Sequence, residues 1–543
     1  MIGMPWDRRN FLRKPTTRLI ATVLVLLLFL SPAFANGVVQ IRHGLSHASV
    51  NPNVTLLDAS FNPQTVGGVP FCRSGGLGTI LCYPPSFLKA AYGFPSGLDG
   101  TGSTIVIVDA FGSPTIQNDL NTFDAAFGLP AATVKVLCGP TWRGASIDDC
   151  PVKTIDDLST APNAALCGAV GWAEETTLDV TMSHGLAPGA KIVLVVVNDC
   201  FDTSFNEAEL AVVGQRSLRG SIMSQSFGEP DDLVGCLDFP CTQRDPTIQA
   251  NADLGYAIAA RNQWTVIASS GDFGANEARG AVGTFELTPS WPASSPLNLA
   301  AGGTQGNAYG GQYGAPPGPG NTFTCSAHTN CSTGLVVING GANGCTTAVR
   351  PGVPSSCVPV GYGGEGAWNE FNFFGEGTST GGGISSLYPR PSYQSGLPRN
   401  FHTLLGDTVK ANGRLNPDVS FNAAIHGGVL APLGMLVPGA TIWAVFGGTS
   451  ASSPGLAAVV ALANQLNNGP VGFINPTIYS IGRSSLYNSA FHDVRVGNNS
   501  DAAGGFGVDG FVATPGYDLT TGWGTPKVTG FITALVGQLQ NEQ

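Results

Sequence analysis

Ser103-Thr104-Ile105-Val106-Ile107-Val108-Asp109 is an unbroken apolar run closed by an acidic residue. A strand with one wet face alternates apolar and polar side chains. A run without alternation is covered on both faces, as strands of parallel sheets are. Further runs of this kind occupy residues 191–197, 221–226 and 265–270, and helix-like stretches lie between them, including 207–218 and 247–262. Strands alternating with helices predict βαβ units, hence an α/β fold with a mainly parallel central sheet. Reactive side chains in such sheets gather at the C-terminal ends of the strands, which makes Asp109 a candidate by position.

The 543 residues are 43% hydrophobic and 11% charged, ample for a large packed core. A net charge of −11 argues against nucleic acid or an anionic membrane as partner. The 74 glycines and 38 prolines predict many turns and long surface loops. At the N-terminus, Arg8, Arg9, Arg13, Lys14 and Arg18 form a basic stretch before an apolar run from Leu19 to Leu30, followed by Ala33-Phe34-Ala35. This is the form of a signal peptide over 1–35, cleaved after Ala35, and it predicts a secreted protein. The apolar run is short of the roughly 20 residues a membrane span needs. Residues 7–13 also resemble a twin-arginine signal, so the export route stays open. Twelve cysteines without a Cys-x-x-Cys pattern read as disulfides of an oxidising compartment. Neighbours such as Cys236 and Cys241 are candidate partners, but connectivity does not follow from sequence. Residues 36–80 look loosely structured. The regular text of 81–543 is interrupted at about 305–362 by a Gly-, Asn-, Pro- and Thr-rich insertion with four cysteines, read as a loop stapled by disulfides.

Three stretches carry chemistry. In Gly447-Gly448-Thr449-Ser450-Ala451-Ser452-Ser453-Pro454 the serine stands where a helix should begin. Free N–H groups at a helix start favour a developing oxyanion, although a serine there is commonly a plain cap. A nucleophilic serine needs a base. Subtilisin-like peptidases use the same Gly-Thr-Ser-x-x-x-Pro text with an Asp and a His-Gly-Thr-His stretch, which is absent here. A His-based reading would have to recruit His184 with Asp109, and His184 reads more simply as a structural residue. Glu175 and Asp179, in contrast, stand four residues apart on one helix face. Two like charges there are unfavourable unless they share a proton or have a task. The apolar neighbours Leu178, Val180 and Met182 suggest burial rather than a solvated acidic face. Asp272, in Ser269-Ser270-Gly271-Asp272, follows a predicted strand inside a Gly-containing turn, where a lone Asp is ordinarily an Asx-turn residue.

Glu-x-x-x-Asp, Ser-Gly-Asp and Gly-Thr-Ser-x-x-x-Pro, in this order, resemble the sedolisin (serine-carboxyl peptidase) family from about Tyr83 to the C-terminus. Gly302-Gly303-Thr304, Trp368-Asn369, Gly381-Gly382-Gly383-Ile384-Ser385 and the stretch 414–420 add to the likeness. The resemblance implies a subtilisin-like three-layer α/β fold and an acid-active, secreted serine-type peptidase acting on protein or peptide substrates, expected as a monomer. In that scheme Ser450 attacks, Glu175 is the general base, Asp179 orients Glu175, and Asp272 donates to the oxyanion. A glutamate with a reference pKa of ~4.3 still works as a base in acid, where histidine is protonated, so a range of roughly pH 3–5 is expected. The resemblance further implies one structural Ca²⁺, held by Asp493, Asp518 and the carbonyls of Val494, Thr514 and Gly516, a set of hard oxygens suited to that ion. Thr514 stands where the family usually has Gly. Two other departures are evident. About 45 residues separate Ala35 from Tyr83, too few for the long pro-domain of relatives. Phe227 replaces a Trp usual before Gly228, so no indole N–H is available there.

Overall fold

The computed structural model describes residues 48–541 other than 51, 64–68, 75–77, 140–149, 151–153, 238–240, 279–285, 307–323, 326–327, 333, 347–356, 371–377, 438 and 502–507. The expected signal peptide lies outside the described residues. The strands that position the site are β1 (Asn53–Leu56), β2 (Phe71–Ser74), β3 (Gly78–Tyr83), β4 (Thr104–Ala110), β5 (Val134–Cys138), β6 (Lys191–Val197), β7 (Ile222–Gln225), β8 (Thr265–Ser269), β9 (Leu299–Gly306), β10 (Glu365–Ala367), β11 (Val419–Asn422), β12 (Gly428–Val437) and β13 (Ala440–Gly447). The helices are α1 (Ile116–Phe127), α2 (Ala169–Leu186), α3 (Asp202–Val213), α4 (Pro246–Arg261), α5 (Thr449–Asn467) and α6 (Val528–Asn541).

The central sheet runs β10-β9-β8-β7-β4-β6-β5, with β11 also paired to β9. Every pairing is parallel except that of β9 with β10. Ile105, Val106, Ile107 and Val108 are all fully buried, so the run without alternation is covered on both faces. Helices α2 and α5 pack on each other, α5 also against β7, β8, β9 and β11, while α3 and α4 pack together and against β4, β6 and β8. This is the α/β layering expected, with the sheet sandwiched between helices. Helix α2 is buried almost all round, as a helix in the middle of a large core must be. Its Thr177 and Thr181 hydroxyls donate back to the carbonyls of Ala173 and Thr177 at 3.0 and 2.7 Å, which satisfies them without leaving the helix. No helix among the described residues is long and apolar enough to cross a membrane.

A second sheet, β1-β13-β12-β3-β2, corrects the expectation that 36–80 is loosely structured. Strands β1, β2 and β3 belong to it, and Cys72–Cys82 ties β2 to β3. The short strands carry little periodicity of their own; their order comes from pairing with β12 and β13, more than 340 positions later in sequence. The 305–362 insertion likewise contains a three-stranded antiparallel sheet (Asn330–Ser332, Val336–Asn339, Val358–Tyr362), with Cys345–Cys357 as a staple. Cys138–Cys150, Cys167–Cys200 and the expected Cys236–Cys241 are also bonded. The helix expected over 207–218 is shifted: α3 begins at Asp202 and stops before Gly214, and Arg216–Leu218 forms a separate 3₁₀ turn.

Candidate active site

Glu175 and Asp179 project from α2 into the interior, both with no exposed surface. Burial, first of all, and then the charge of Asp109 push both carboxyls well above the usual range. Asp109, at the end of β4, is equally buried and is pushed up to about 7 by desolvation. Among the described residues no hydrogen bond is closed to either of its oxygens or to either of those of Glu175, although the Thr176 side chain favours the ionised form of Asp109. The Ser450 side chain lies near enough to Glu175 to favour its ionised form, although no hydrogen bond is closed between them; such bonds commonly tighten only when substrate binds. Glu174, next along α2, is raised to about 7 by burial. The structure therefore gathers Glu175, Asp179 and Asp109 into one cluster in which full ionisation is disfavoured.

Ser450 sits in the first turn of α5, where its N–H has no carbonyl within the helix to bond. Pro454 lies inside the same helix, four residues on. Proline has no N–H, so the usual helical donor to the Ser450 carbonyl is missing. The hydroxyl of Ser226 lies 3.3 Å from that carbonyl and 2.8 Å from Asp179 Oδ1. One side chain thus links the nucleophile's backbone to the carboxyl cluster. In the sequence Ser226 is only the last residue of the run 221–226; the signal that points to it is the proline four residues after Ser450. Phe227 itself stacks into an apolar cluster, its ring 4.1 Å from Phe205 and 6.1 Å from Trp172.

Asp272 follows β8, in the turn that Gly271 makes at φ 104°. Its Oδ1 accepts from the Thr449 N–H at 2.7 Å and the Thr449 hydroxyl at 2.8 Å. Its Oδ2 accepts from Asn53 Nδ2 at 2.6 Å. Burial raises Asp272 to about 6 against the pull of these donors. Gly448, at φ 93°, can only be glycine: a Cβ there would lie 2.5 Å from Asp272 Oδ2. A serine at a helix start, a carboxyl cluster on the helix packed against it and a protonatable carboxyl at the same N-terminus can together perform acyl transfer: one group to attack, one to take its proton, one to meet the oxyanion.

His184 stands apart from this constellation. It is buried further along α2, its Nε2 3.0 Å from Asp124 Oδ1 and 3.1 Å from the Pro130 carbonyl, the structural role its sequence context suggested. Asp109, its hypothetical partner, belongs to the Glu175 cluster instead.

The two segments read as a Ca²⁺ site do come together: Gly516 N–H donates to Asp493 Oδ1 at 3.0 Å. Asp493 also accepts from Tyr487 and pairs with Arg495, and Asp518 accepts from the amides of Thr514, Thr520 and Thr521. Among the described residues no hydrogen bond is made to the carbonyls of Val494, Thr514 or Gly516, and no group of three or more His, Cys, Asp or Glu is placed to hold a metal ion by side chains alone. Two carboxylates and three free carbonyls are a donor set that fits Ca²⁺. Gly516 takes a positive φ of 80° whereas Thr514 does not, so threonine in place of glycine causes no backbone strain there.

No protein-family model matches the chain. It is 28% identical to kumamolisin of Bacillus sp. (strain MN-32) over 463 residues, which are 85% of this chain and 65% of that protein. It is 28% identical to sedolisin of Pseudomonas sp. (strain 101) over 467 residues, 85% of this chain and 62% of that protein. The chain thus spans less than two thirds of the length of either relative. Tripeptidyl-peptidase 1 of Rattus norvegicus is 33% identical over 167 residues, 29% of this chain and 27% of that protein. Among solved structures, Pseudomonas sedolisin, a serine-carboxyl proteinase in complex with two molecules of pseudo-iodotyrostatin, matches in fold with a TM-score of 0.58 at 24% identity, covering 84% of this chain and 98% of that one. Similarity over most of the sequence, the parallel-sheet fold and the order of the three motifs agree: the chain is similar to members of the sedolisin family and shares their fold.

Proposed function

We propose that this protein is a secreted peptidase that hydrolyses peptide bonds in acid through an acyl-enzyme on Ser450. The observation that carries the reading is the meeting of Ser450, at the start of α5, with the buried carboxyls of Glu175 and Asp179 on the helix packed against it and with Asp272 on the Thr449 N–H. Ser450 Oγ bonds to the scissile carbonyl carbon while its proton passes to a Glu175 oxygen. The carbonyl π-pair moves onto oxygen. The oxyanion is met by the Ser450 N–H and by a neutral Asp272, which can donate only while protonated. Thr449 occupies Oδ1 twice, so that proton belongs on Oδ2. Collapse of the tetrahedral adduct breaks the C–N bond, and the proton on Glu175 leaves with the amine. Water then attacks the ester by the same route. Only one negative charge is needed in the cluster at the start, on Glu175, where the Ser450 side chain favours it against burial and the charge of Asp109; Asp179 Oδ2, to which no hydrogen bond is made among the described residues, is free to hold a shared proton. Protein or peptide substrates, a monomeric state, export by the N-terminal signal and a structural Ca²⁺ at Asp493 and Asp518 complete the reading. The ion would cross-link two loops and takes no part in the chemistry.

The test is cleavage of a denatured protein between about pH 3 and about pH 9 by the mature protein beside Ser450→Ala and Glu175→Gln. Cleavage confined to acid and lost in both variants is expected. Neutral-pH cleavage that needs Ser450 but not Glu175 would overturn the assignment.

A further inference from the structure

The turn that presents Ser450 and the turn that presents Asp272 are both fastened to a third stretch of chain, and Glu370 is the joint. Its carboxyl is buried, with 4% of the residue exposed. Oε2 accepts from Trp368 Nε1 at 2.8 Å and from the Ile425 N–H at 2.7 Å, and Oε1 accepts from the His426 N–H at 2.9 Å. Ile425 and His426 lie in the loop 423–427, which links β11 to β12. The same loop aims the Ala423 carbonyl at the Gly448 N–H, which donates to it at 2.7 Å, two residues before Ser450. Trp368, Ala423, Ala424 and Ile425 form one buried apolar cluster.

The other arm of the joint is main chain. Glu370 N–H donates to the Thr378 carbonyl at 2.8 Å, and Thr380 N–H to the Trp368 carbonyl at 3.0 Å. From there Ser379 N–H donates to the Asp272 carbonyl at 3.0 Å and Gly381 N–H to the Gly271 carbonyl at 2.7 Å. Little room is left for slippage. A Cβ on Gly303 of β9 would lie 2.8 Å from Ala423 Cβ, 3.1 Å from the Trp368 ring and 3.3 Å from the Thr449 methyl. A buried acceptor that serves three N–H donors from two segments is costly to remove, because the donors must then find other partners. The loop 423–427 can do so only by moving, and that movement would draw the Ala423 carbonyl away from Gly448. The bonds from Thr449 to Asp272 Oδ1 exist only while the two turns keep their spacing.

We propose that Glu370 is a positioning residue of the peptidase reaction, holding the turn of Ser450 in register with the turn of Asp272. The proposal rests on the peptidase reading of Ser450. Its test uses the full chain beside Glu370→Gln, which exchanges one acceptor oxygen for a donor, and Glu370→Asp, which keeps the carboxylate one methylene further back. Hydrolysis of a quenched-fluorescence casein peptide is followed from about pH 3 to about pH 7. Labelling of Ser450 by a fluorophosphonate is read in parallel, with Ser450→Ala as blank. In Glu370→Gln kcat should fall about 100-fold, the loss that a misplacement of ~1 Å brings, while KM changes little. Glu370→Asp should recover part of that loss. The Thr449 donors favour the ionised form of Asp272, so loosening them keeps its proton on to higher pH. The basic limb of the kcat/KM profile should therefore move upward in Glu370→Gln. A folded Glu370→Gln with a lower melting temperature but unchanged kcat and basic limb would overturn the proposal and leave Glu370 a scaffold residue. A rise in KM at constant kcat would overturn it in favour of a role in substrate binding. Failure of both variants to fold would also overturn it, since the carboxyl would then serve the fold as a whole. No Ser450-dependent labelling or hydrolysis by the unaltered protein would overturn the peptidase reading together with the proposal.

Discussion

At the scale of single residues, the position of Ser226 is the least expected. Its hydroxyl is held between Asp179 and a carbonyl that Pro454 has stripped of its helical donor. Donation to Asp179 favours the ionised carboxyl, so removing it raises the pKa of Asp179 further. Ser226→Ala should therefore lower kcat/KM about tenfold, equivalent to ~1.4 kcal/mol, and move the acid limb of the pH profile upward. Ser226→Thr, which keeps a hydroxyl, should restore both. A rate loss without any shift of the profile would reduce Ser226 to a packing role. Ser450, Glu175, Asp179 and Asp272 stand out as candidates in the sequence because each sits in a short ordered motif. Ser226 and Asn53 do not, since nothing local marks a side chain whose partner is supplied by another element.

Among the elements, the loops around Asp493 and Asp518 combine two observations: acidic side chains fastened by local donors, and three carbonyls that accept no hydrogen bond among the described residues. A cation there would join them and replace Arg495 on Asp493. A ligand present at about 100 times its Kd stabilises the folded state by ~2.7 kcal/mol. Chelation should accordingly lower the melting temperature by a few degrees, about 2–4 °C, with full recovery on adding Ca²⁺. Asp493→Asn and Asp518→Asn should abolish the response. A melting temperature indifferent to EDTA would remove calcium from the protein. The strands β1, β2 and β3 teach a complementary lesson. The Gly-, Asn-, Ser- and Pro-rich text in which they lie reads as loop, because a short strand that completes another sheet needs no pattern beyond the backbone it pairs.

For the whole molecule, the buried carboxyls set the pH dependence of stability. Burial holds Asp109, Asp119 and Glu174 up to about 7, Glu209 up to about 8 and Asp272 up to about 6. In the unfolded chain such groups titrate near ~4. Between those limits the native state binds more protons than the unfolded state, so stability falls as pH rises. The contribution is complete below about pH 4 and is lost through about pH 6 to 8. Urea midpoints should be higher at about pH 4 than at about pH 8, the reverse of ordinary acid denaturation; a midpoint that rises with pH would contradict the burial of these groups. Sequence alone determined the parallel sheet, through runs whose lack of alternation demands cover on both faces, and the motif set, through residues close together in the chain. Tertiary structure alone decided that Asp109 joins Glu175 rather than His184, that Ser226 reaches Asp179 across 47 positions, and that Asn53 reaches Asp272 across 219. Contacts of that span depend on which strands become neighbours, and strand order is settled by the packing of the whole core, which no local pattern encodes.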